Sequence, residues 1–360
     1  MTSSTETITG ARRKSAEIKA QYKKFIGRKI IFILSCVILI FIIAGIAATL
    51  GSYPISVTEV YSIIWHGLFQ NPETTKENVI WNLRLPSIIM GILAGIGLAI
   101  AGTIMQGVMR NPLASPYTLG IASAASFGAT LAIILGAGFV TGKYLIIGNA
   151  FIFALLSSCI IYGLSRYKSV TPETMILAGI ALMYLFSAMT GMLQYFGEAE
   201  AVKEVVFWMF GSLGRASWDN LYLVFIVIAI NIPLLMLKSW DLNTLGAGDE
   251  IAKSLGVNVE RTRAVCFILA SLVTAGIICF TGTIGFIGLV SPHICRMVIG
   301  GDNRFLIPAS GLFGAALLLA ADTVARTIIA PLILPVGLIT AFMGAPLFLY
   351  LIMRRRREFW

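Results

Sequence analysis

The chain has 360 residues, of which 58% are hydrophobic and only 12% are charged, and its mean hydropathy is +0.88. So few charges cannot cover the surface of a water-soluble protein, and apolar runs of about 20 residues recur along nearly the whole length. The composition therefore excludes a water-soluble protein and leaves no room for a separate soluble domain. It indicates an all-α protein that crosses the membrane many times.

The formal net charge of +10 does not indicate a nucleic-acid partner, because the basic residues flank apolar runs. Eight Lys and Arg residues precede the first run, and Arg354–Arg357 follow the last one. The positive-inside rule places such clusters in the cytoplasm. We therefore predict a basic cytoplasmic tail over 1–29, a transmembrane domain over 30–353, a second basic cytoplasmic tail over 354–360, an even number of spans and a location in the cell membrane.

Cysteine and histidine give no sign of a metal or cofactor site. The five cysteines lie within apolar stretches and lack C-x-x-C spacing, which predicts small core residues rather than ligands or disulfides. His66 and His293 are far apart and are not near a cluster of Cys or Glu with ligand spacing. We therefore predict no bound metal and no cofactor.

The chain begins with a polar, basic stretch, residues 1–29, for which we predict weak helix at best or an interfacial helix. The first span follows at Ile30–Leu50. Ser56-Val-Thr-Glu59 then has the form of a capping box, and the apolar residues after it recur on one helical face. We predict an external amphipathic helix that lies against the membrane.

Further apolar segments continue to the C-terminal end and give about ten spans in all. If 262–300 formed one bent span, the count would be odd and the C-terminal arginines would lie outside, so the charge rule favours two spans there. A hydrophilic joint, 239–263, interrupts the pattern. The predicted spans after the first are 84–109, 113–136, 144–166, 172–196, 219–240, 262–283, 286–300, 305–327 and 333–353.

A short internal echo indicates a repeated architecture. Gly102–Ile104 is followed by Pro112, and Gly282–Ile284 is followed by Pro292 at the same spacing, five spans later. An odd offset inverts the topology, so we predict inverted repeats with helix breaks at the two matched places, as in many transporters. Chance similarity between glycine-rich membrane helices is the alternative.

Two blocks of motifs resemble the FecCD-type permeases, the membrane subunits of ABC importers for iron-siderophores, haem and cobalamin. The resemblance covers approximately residues 30 to 353, in the expected order. The first block contains Arg84–Pro86, Ala101–Gln106, Arg110–Pro116 and Leu119–Gly120. The second block contains Gly285–His293, Arg296, Asp302–Arg304, Asp322–Arg326, Pro335–Gly337 and Gly344–Pro346.

The resemblance implies a ten-helix subunit of the cobalamin-importer permease type, a type II ABC importer. Such a subunit works as a dimer, here a homodimer, with two cytoplasmic ATPases and an external substrate-binding protein. The implied substrate is an iron chelate of the siderophore type, with haem or cobalamin as alternatives. One departure is visible, since Ile333 stands where the family usually has an acidic residue.

The joint 239–263 is cytoplasmic in this topology and is the candidate for coupling to an ATPase. A short helix is predicted to open at Gly248-Asp-Glu250, with Ile251 and Leu255 on one face and Gly256 at its C-terminal end. An ordinary solvated helix is the alternative. The resemblance to the family's coupling helix assigns the coupling role to Gly248, Asp249, Glu250, Ile251, Ala252, Leu255 and Gly256.

Arg84 and Arg326 are predicted at external helix ends, where an arginine can simply extend to the interface. Arg326 could also pair with Asp322 at i,i+4. The resemblance implies that external arginines at these positions meet acidic residues of the binding protein. Since Ser87 stands where the family often has a second basic residue, we add Arg215 to the docking set.

Four residues are assigned to the translocation pathway or its gates. Gln106 and Asn111 lie within or at the end of the second span, where they could hydrogen-bond between helices or line the path. Pro292 interrupts an apolar run, and Thr171 lies in a cytoplasmic loop whose counterpart in the family helps close the inner end of the pathway. Asp322 is the only carboxylate well inside an apolar run, which makes it a functional suspect unless it pairs with Arg326.

The chain is not predicted to be an enzyme. The stretch most like a nucleotide-binding loop, 138–144, has the wrong glycine spacing and lacks the Ser or Thr. The energy must therefore come from a partner ATPase. An ion-coupled secondary transporter is the alternative from another class, but only Asp322 qualifies as a buried ionisable site, whereas such coupling usually leaves several.

Overall fold

The computed structural model describes residues 2–51, 53–69, 71–167 and 171–353, with side chains from Phe25 onwards except at 165–167, 351 and 352. All regular secondary structure in these ranges is helical. Seven helices there are long and apolar enough to cross a membrane, and three more are apolar but shorter. These ten confirm the predicted all-α architecture and correspond to the ten predicted spans. The predicted tail 354–360 lies outside the described residues.

The spanning helices are separated by short joints, several of which carry a short helix of their own. The ten apolar helices are α1 (Thr2–Thr49), α4 (Leu85–Met109), α5 (Ile121–Leu135), α6 (Leu145–Tyr167), α7 (Pro172–Phe196), α9 (Trp218–Leu237), α12 (Val259–Thr281), α13 (Ile287–Ile299), α14 (Asn303–Thr327) and α15 (Val336–Met353). The short helices are α2 (Val57–His66), α3 (Thr75–Asn78), α8 (Ala199–Met209), α10 (Ser239–Gly246) and α11 (Asp249–Ser254), and a π-helical turn, Val79–Arg84, joins α3 to α4.

Helix α4 lies at the centre of the bundle, packed against α9, α12, α13 and α14. Small residues permit this, because membrane helices associate through close backbone approach rather than through exclusion of water. A Cβ atom at Gly95 would lie 2.5 Å from the Cα of Ala315, and one at Gly102 would lie 1.7 Å from the carbonyl oxygen of Gly288. Glycine is therefore required at both crossings.

We expect Gly102→Ala to destabilise the protein. The added methyl group would overlap the Gly288 carbonyl, so α4 and α13 must move apart, and overpacking of this kind costs about 1–3 kcal/mol. Thermal unfolding in detergent measures the effect. Gly191→Ala in α7 is the matched control, because its Cβ would meet nothing within 4 Å. Equal melting temperatures for the two variants would contradict the packing.

The close contact at Gly102 corrects the prediction of a helix break there. Gly102 lies inside the regular helix α4, and the chain leaves helical geometry only at Arg110, whose φ is 47°. In the second copy of the motif, Gly282 does lie at a break, between α12 and α13. The prediction of matched breaks was therefore wrong, since Gly102 permits close packing of two helices and does not bend α4. Inverted repeats as such remain a prediction.

Two predicted boundaries also differ from the structure. Helix α1 begins at Thr2, so the prediction of weak helix at best over 1–29 was wrong, and the backbone of the first span continues far back towards the N-terminus. The cytoplasmic location of residues 1–29 stays a prediction. The third span starts at Ile121 rather than 113, because Pro112, Pro116 and the left-handed Gly120 keep the preceding segment in turns.

Other local predictions are confirmed. Ser56 caps α2 with a reciprocal capping box to Glu59, and the backbone N–H of Ser56 lies 3.0 Å from the Glu59 carboxylate. The segment 262–300 forms two helices, α12 and α13, rather than one bent span.

Candidate functional sites

Most of the predicted site residues gather at two opposite ends of the bundle. One end, the Asp249 end, contains α10, α11, the last turn of α4 and the first turns of α12 and α14. The other, the Arg84 end, contains the last turns of α1 and α14, the first turns of α4 and α15, and the joint between α8 and α9. The predicted topology places the Asp249 end in the cytoplasm and the Arg84 end outside.

Helix α11 has the ends that the sequence predicts. It starts after Gly248, whose φ is 121°, and it finishes in a Schellman motif. The N–H of Gly256 donates to the carbonyl of Lys253 at 3.0 Å, and the N–H of Val257 donates to that of Ala252, also at 3.0 Å. Gly256 has a φ of 84°, which requires glycine at this position.

One face of α11 is left open. Ala252 is fully buried, whereas Ile251 is 50% and Leu255 is 65% exposed. Glu250 and Lys253 form an exposed ion pair of 3.3 Å along the same helix. Two exposed aliphatic side chains beside an ion pair form a small mixed surface that a partner protein can cover.

The base of α11 is anchored by charge. Nη2 of Arg263 donates to both carboxylate oxygens of Asp249, at 2.9 and 3.1 Å, and Nη2 of Arg110 lies 3.5 Å from Oδ1. Arg263 is almost fully buried, and its Nε donates to the carbonyl of Val108 in α4. Sequence analysis missed Arg263 because it counted as an ordinary cytoplasmic charge. Its place inside the first turn of an apolar helix was the available signal.

Helix α10 is tied to the start of α14. Nδ2 of Asn243 donates to Asp302 at 2.9 Å, and Oδ1 of Asn243 accepts from the backbone N–H and the side-chain amide of Asn303. The Arg304 guanidinium stacks over Trp240 of α10 at 4.2 Å and hydrogen-bonds to Asp302. Burial alone would raise the pKa of Asp302, but hydrogen bonds from Arg304 and Asn243 outweigh it and lower the pKa to about 2.

This lowered pKa predicts acid sensitivity. The carboxyl group of an unfolded Asp titrates at about 4, so the contribution of Asp302 to stability is complete above that pH and is lost as the pH falls towards about 2. We expect Asp302→Asn to lower the melting temperature at pH 7, and the gap to wild type to narrow as the pH falls from about 5 towards 3. The control is Asp219→Asn, because Asp219 pairs with Lys143 on the exposed surface, and this variant should leave the melting temperature at pH 7 unchanged. A gap that is constant with pH would refute the assignment.

At the other end, Arg84 is turned inward. Its side chain is only 5% exposed, and its guanidinium donates to the carbonyls of Ala48, Thr49 and Tyr53 at 2.7, 3.1 and 2.5 Å. Carbonyls in the last turn of a helix lack intrahelical partners and favour a cation. Arg84 therefore caps α1, and direct pairing with a binding protein would require it to leave these three carbonyls.

A cavity of about 270 Å³ opens beside Arg84 and is also lined by Asp322, Arg326 and Ile333. Nη2 of Arg326 lies 2.6 Å from Oδ2 of Asp322, and both side chains are largely buried, which confirms the predicted i,i+4 pair. Ile333, at the position where the family usually has an acid, is exposed on this cavity. Asp322 is thus the carboxylate among the residues that line this cavity, and it pairs with Arg326.

Arg215 is the exposed member of the predicted docking set. It follows Ser212 and Gly214, which line the same cavity, and its side chain reaches solvent. Its guanidinium is partly buried and interacts electrostatically with Glu204, but the exposed part of the side chain leaves the charge accessible to a partner.

The predicted pathway residues have local partners. Gln106 is buried in α4 and donates to the carbonyl of Leu289 in α13 at 3.3 Å, so it links two helices. Asn111 accepts from the N–H of Leu113, Thr171 caps α7, and Pro292 is buried within α13. Their assignment to gates stays a prediction.

A profile of the FecCD transport family matches residues 36–354. The chain belongs to the FecCD transport family. Among its relatives, MJ0087 of Methanocaldococcus jannaschii, named as an ABC transporter permease, is 46% identical over 347 residues, which is 94% of this chain and 98% of the relative. The hemin transport system permease HmuU of Yersinia pestis is 38% identical over 327 residues, 89% of this chain and 95% of the relative.

A solved structure resembles this FecCD protein along most of its length. It is described as an inward-facing conformation of a metal-chelate type ABC transporter, and it is 31% identical with a TM-score of 0.79, covering 90% of this chain and 99% of that one. The FecCD protein is therefore a permease, the membrane subunit of an ABC transporter. This finding decides against the ion-coupled secondary transporter.

Proposed function

We propose that this FecCD permease imports an iron chelate of the siderophore type, with ATP hydrolysed by separate ATPases bound at the Asp249 end. The observation that carries the energy-coupling part is α11, which presents Ile251 and Leu255 outward while Asp249 and Ala252 hold it to the bundle. A helix that is anchored on one side and open on the other can receive a partner and remain attached to the permease.

The substrate proposal is supported by the relatives rather than by a cavity of this chain. HmuU is named for hemin, and the solved relative for a metal chelate. Both names describe a metal held in an organic ligand. Haem and cobalamin remain the alternatives, since they share this chemistry. A chelate arrives already coordinated, so the permease need supply no ligand to the metal.

The remaining partners follow from the family and the charge pattern. We propose a homodimer of permeases with two ATPases, both termini in the cytoplasm, and a binding protein at the Arg84 end. Arg28 and Lys29 lie beside α13 and α14 at the Asp249 end, which supports a cytoplasmic location for that end. Arg215 is the docking residue whose charge is accessible, and it would steer a binding protein that carries acidic residues.

The test is transport by the reconstituted complex. Permease and ATPase are placed in liposomes with ATP inside, and the binding protein loaded with a ferric hydroxamate siderophore, haem or cobalamin is added outside. We expect ATP-dependent uptake of the ferric siderophore to exceed that of the others. If haem or cobalamin were taken up at a higher rate, that compound would be the substrate instead of a ferric siderophore. No uptake of any of the three would overturn the proposal.

A further inference from the structure

A single carboxylate joins α11 to two other helices. Asp249 opens α11, and its oxygens accept from Arg263 in the first turns of α12 while Arg110, which ends α4, lies 3.5 Å away. Arg263 also donates to the carbonyl of Val108 in the last turn of α4, at 3.3 Å. The three helix ends thus meet at Asp249.

Burial makes this junction resist separation. The Arg263 side chain is 2% exposed, and separation of a buried guanidinium from a carboxylate partner is strongly unfavourable in a poorly solvated place. A displacement of α11 should therefore carry Arg263 with it rather than break the pair. Solvent-exposed ion pairs, such as Glu250 with Lys253, offer no such resistance.

Arg110 adds a second connection at a point of backbone strain. Its φ of 47° and ψ of 37° are left-handed, which residues with a Cβ adopt at a cost unless their surroundings hold them. The side chain of Arg110 points to the same carboxylate, and it also passes close to Gly248, where an added Cβ atom would lie 3.9 Å from Nη1 of Arg110. The end of α4 is therefore set by the position of the first residue of α11.

Helix α4 can pass a displacement onward. It runs through the centre of the bundle, and Gln106, one turn before Arg110, hydrogen-bonds to the backbone of α13. Gly102 and Gly288 pack these two helices backbone to backbone. A shift at the end of α4 is thus transmitted to α13 without a compressible side chain between them.

We infer that Asp249 is the positioning residue that transmits movement of α11 to α4 and α12, through Arg110 and Arg263. This inference rests on the proposed function, because it takes a partner ATPase as the source of the movement. Asp249 does not itself need to touch the ATPase, since its carboxylate faces the bundle.

The test uses the complete transporter in liposomes with three variants, Asp249→Asn, Arg110→Gln and the double variant. Three quantities are measured: affinity of the ATPase for the permease, rate of ATP hydrolysis, and substrate molecules imported per ATP. We expect Asp249→Asn to keep affinity and hydrolysis within about twofold and to lower import per ATP about tenfold. Arg110→Gln should lower it about threefold, and the double variant should equal Asp249→Asn, because residues in one network are not additive.

The matched control is Lys238→Gln at the N-cap of α10. Lys238 and Asp241 have side-chain exposures of 35% and 28%, close to the 35% and 30% of Arg110 and Asp249. Loss of this pair should leave import per ATP unchanged. An equal loss in the control would show that any ion pair at this end matters, and would overturn the specific role of Asp249.

A distance measurement separates transmission from mere stability. Spin labels are attached to cysteines that replace Ser254 in α11 and Leu113 after α4, both of which are exposed. The exposed native cysteine is removed by Cys159→Ser so that it is not labelled. In the wild-type background the two labels should move together when ATP binds, so their separation stays constant. In Asp249→Asn it should change with ATP.

Failure of the proposed function and failure of the transmission role of Asp249 give different results. If unaltered permease binds no ATPase and imports nothing with ATP, the proposed function fails. If it imports normally but Asp249→Asn and Arg110→Gln match it in import per ATP, only the transmission role fails. Should Asp249→Asn not fold, Arg110→Gln decides alone, because its side chain is partly exposed.

Discussion

Replacing Ile251 and Leu255 together with asparagine should release the ATPase from the permease. Both side chains are at least half exposed in the isolated subunit, so the fold should tolerate the change. Because the two side chains are already partly buried, covering their exposed parts at an interface contributes about 2–3 kcal/mol, which corresponds to about thirtyfold to a hundredfold in the dissociation constant. We expect ATP-driven uptake to fall at least tenfold while the melting temperature stays the same.

The binding of purified ATPase to permease in detergent, followed by surface plasmon resonance, measures the predicted loss. Ser254→Asn is the control on the same helix, because Ser254 is exposed and polar already. Unchanged affinity in the double variant would mean that the ATPase binds elsewhere and that the open face of α11 has another role.

Replacement by glutamine should lower the stability of the protein at Arg84 but not at Arg215. Arg84→Gln removes charge-assisted hydrogen bonds to three carbonyls in a buried place, and bonds to charged groups contribute about 1.5–3 kcal/mol each. We expect a loss of at least 2 kcal/mol in stability, seen as a lower melting temperature. Arg215→Gln should leave the melting temperature unchanged.

The same pair tests docking. Arg215→Gln should slow association of the binding protein several-fold at low ionic strength, with little effect at high salt, because an accessible charge acts through steering. If Arg84→Gln slowed association without loss of stability, Arg84 would be a docking residue after all, and the capping role would be contradicted.

Features governed by short segments could be predicted from the sequence. The capping box at Ser56 and the glycine end of α11 at Gly256 depend on residues within one or two helical turns, and both formed as predicted. The ten spans depend only on the length and apolar character of each segment, and these are visible in the sequence.

Features governed by contacts between distant segments could not be predicted. Arg84 lies 36 residues from Ala48 in the chain, and only the packing of α1 against the start of α4 makes it a cap instead of a free charge. Gly102 was mistaken for a break because a glycine needed for close packing and one needed for a bend look the same in a sequence. Arg263 was overlooked for a similar reason, since its burial depends on α4.

The central claim is that ATP hydrolysed at the Asp249 end drives import by this permease. Its most direct test is uptake of a ferric siderophore into liposomes that contain permease and ATPase, with ATP enclosed and the loaded binding protein outside. The account predicts uptake that requires enclosed ATP, ATPase and binding protein together, and that disappears in the Ile251→Asn, Leu255→Asn double variant. Uptake that proceeds without ATP under a proton or sodium gradient, or that is unaffected by the double variant, would contradict it.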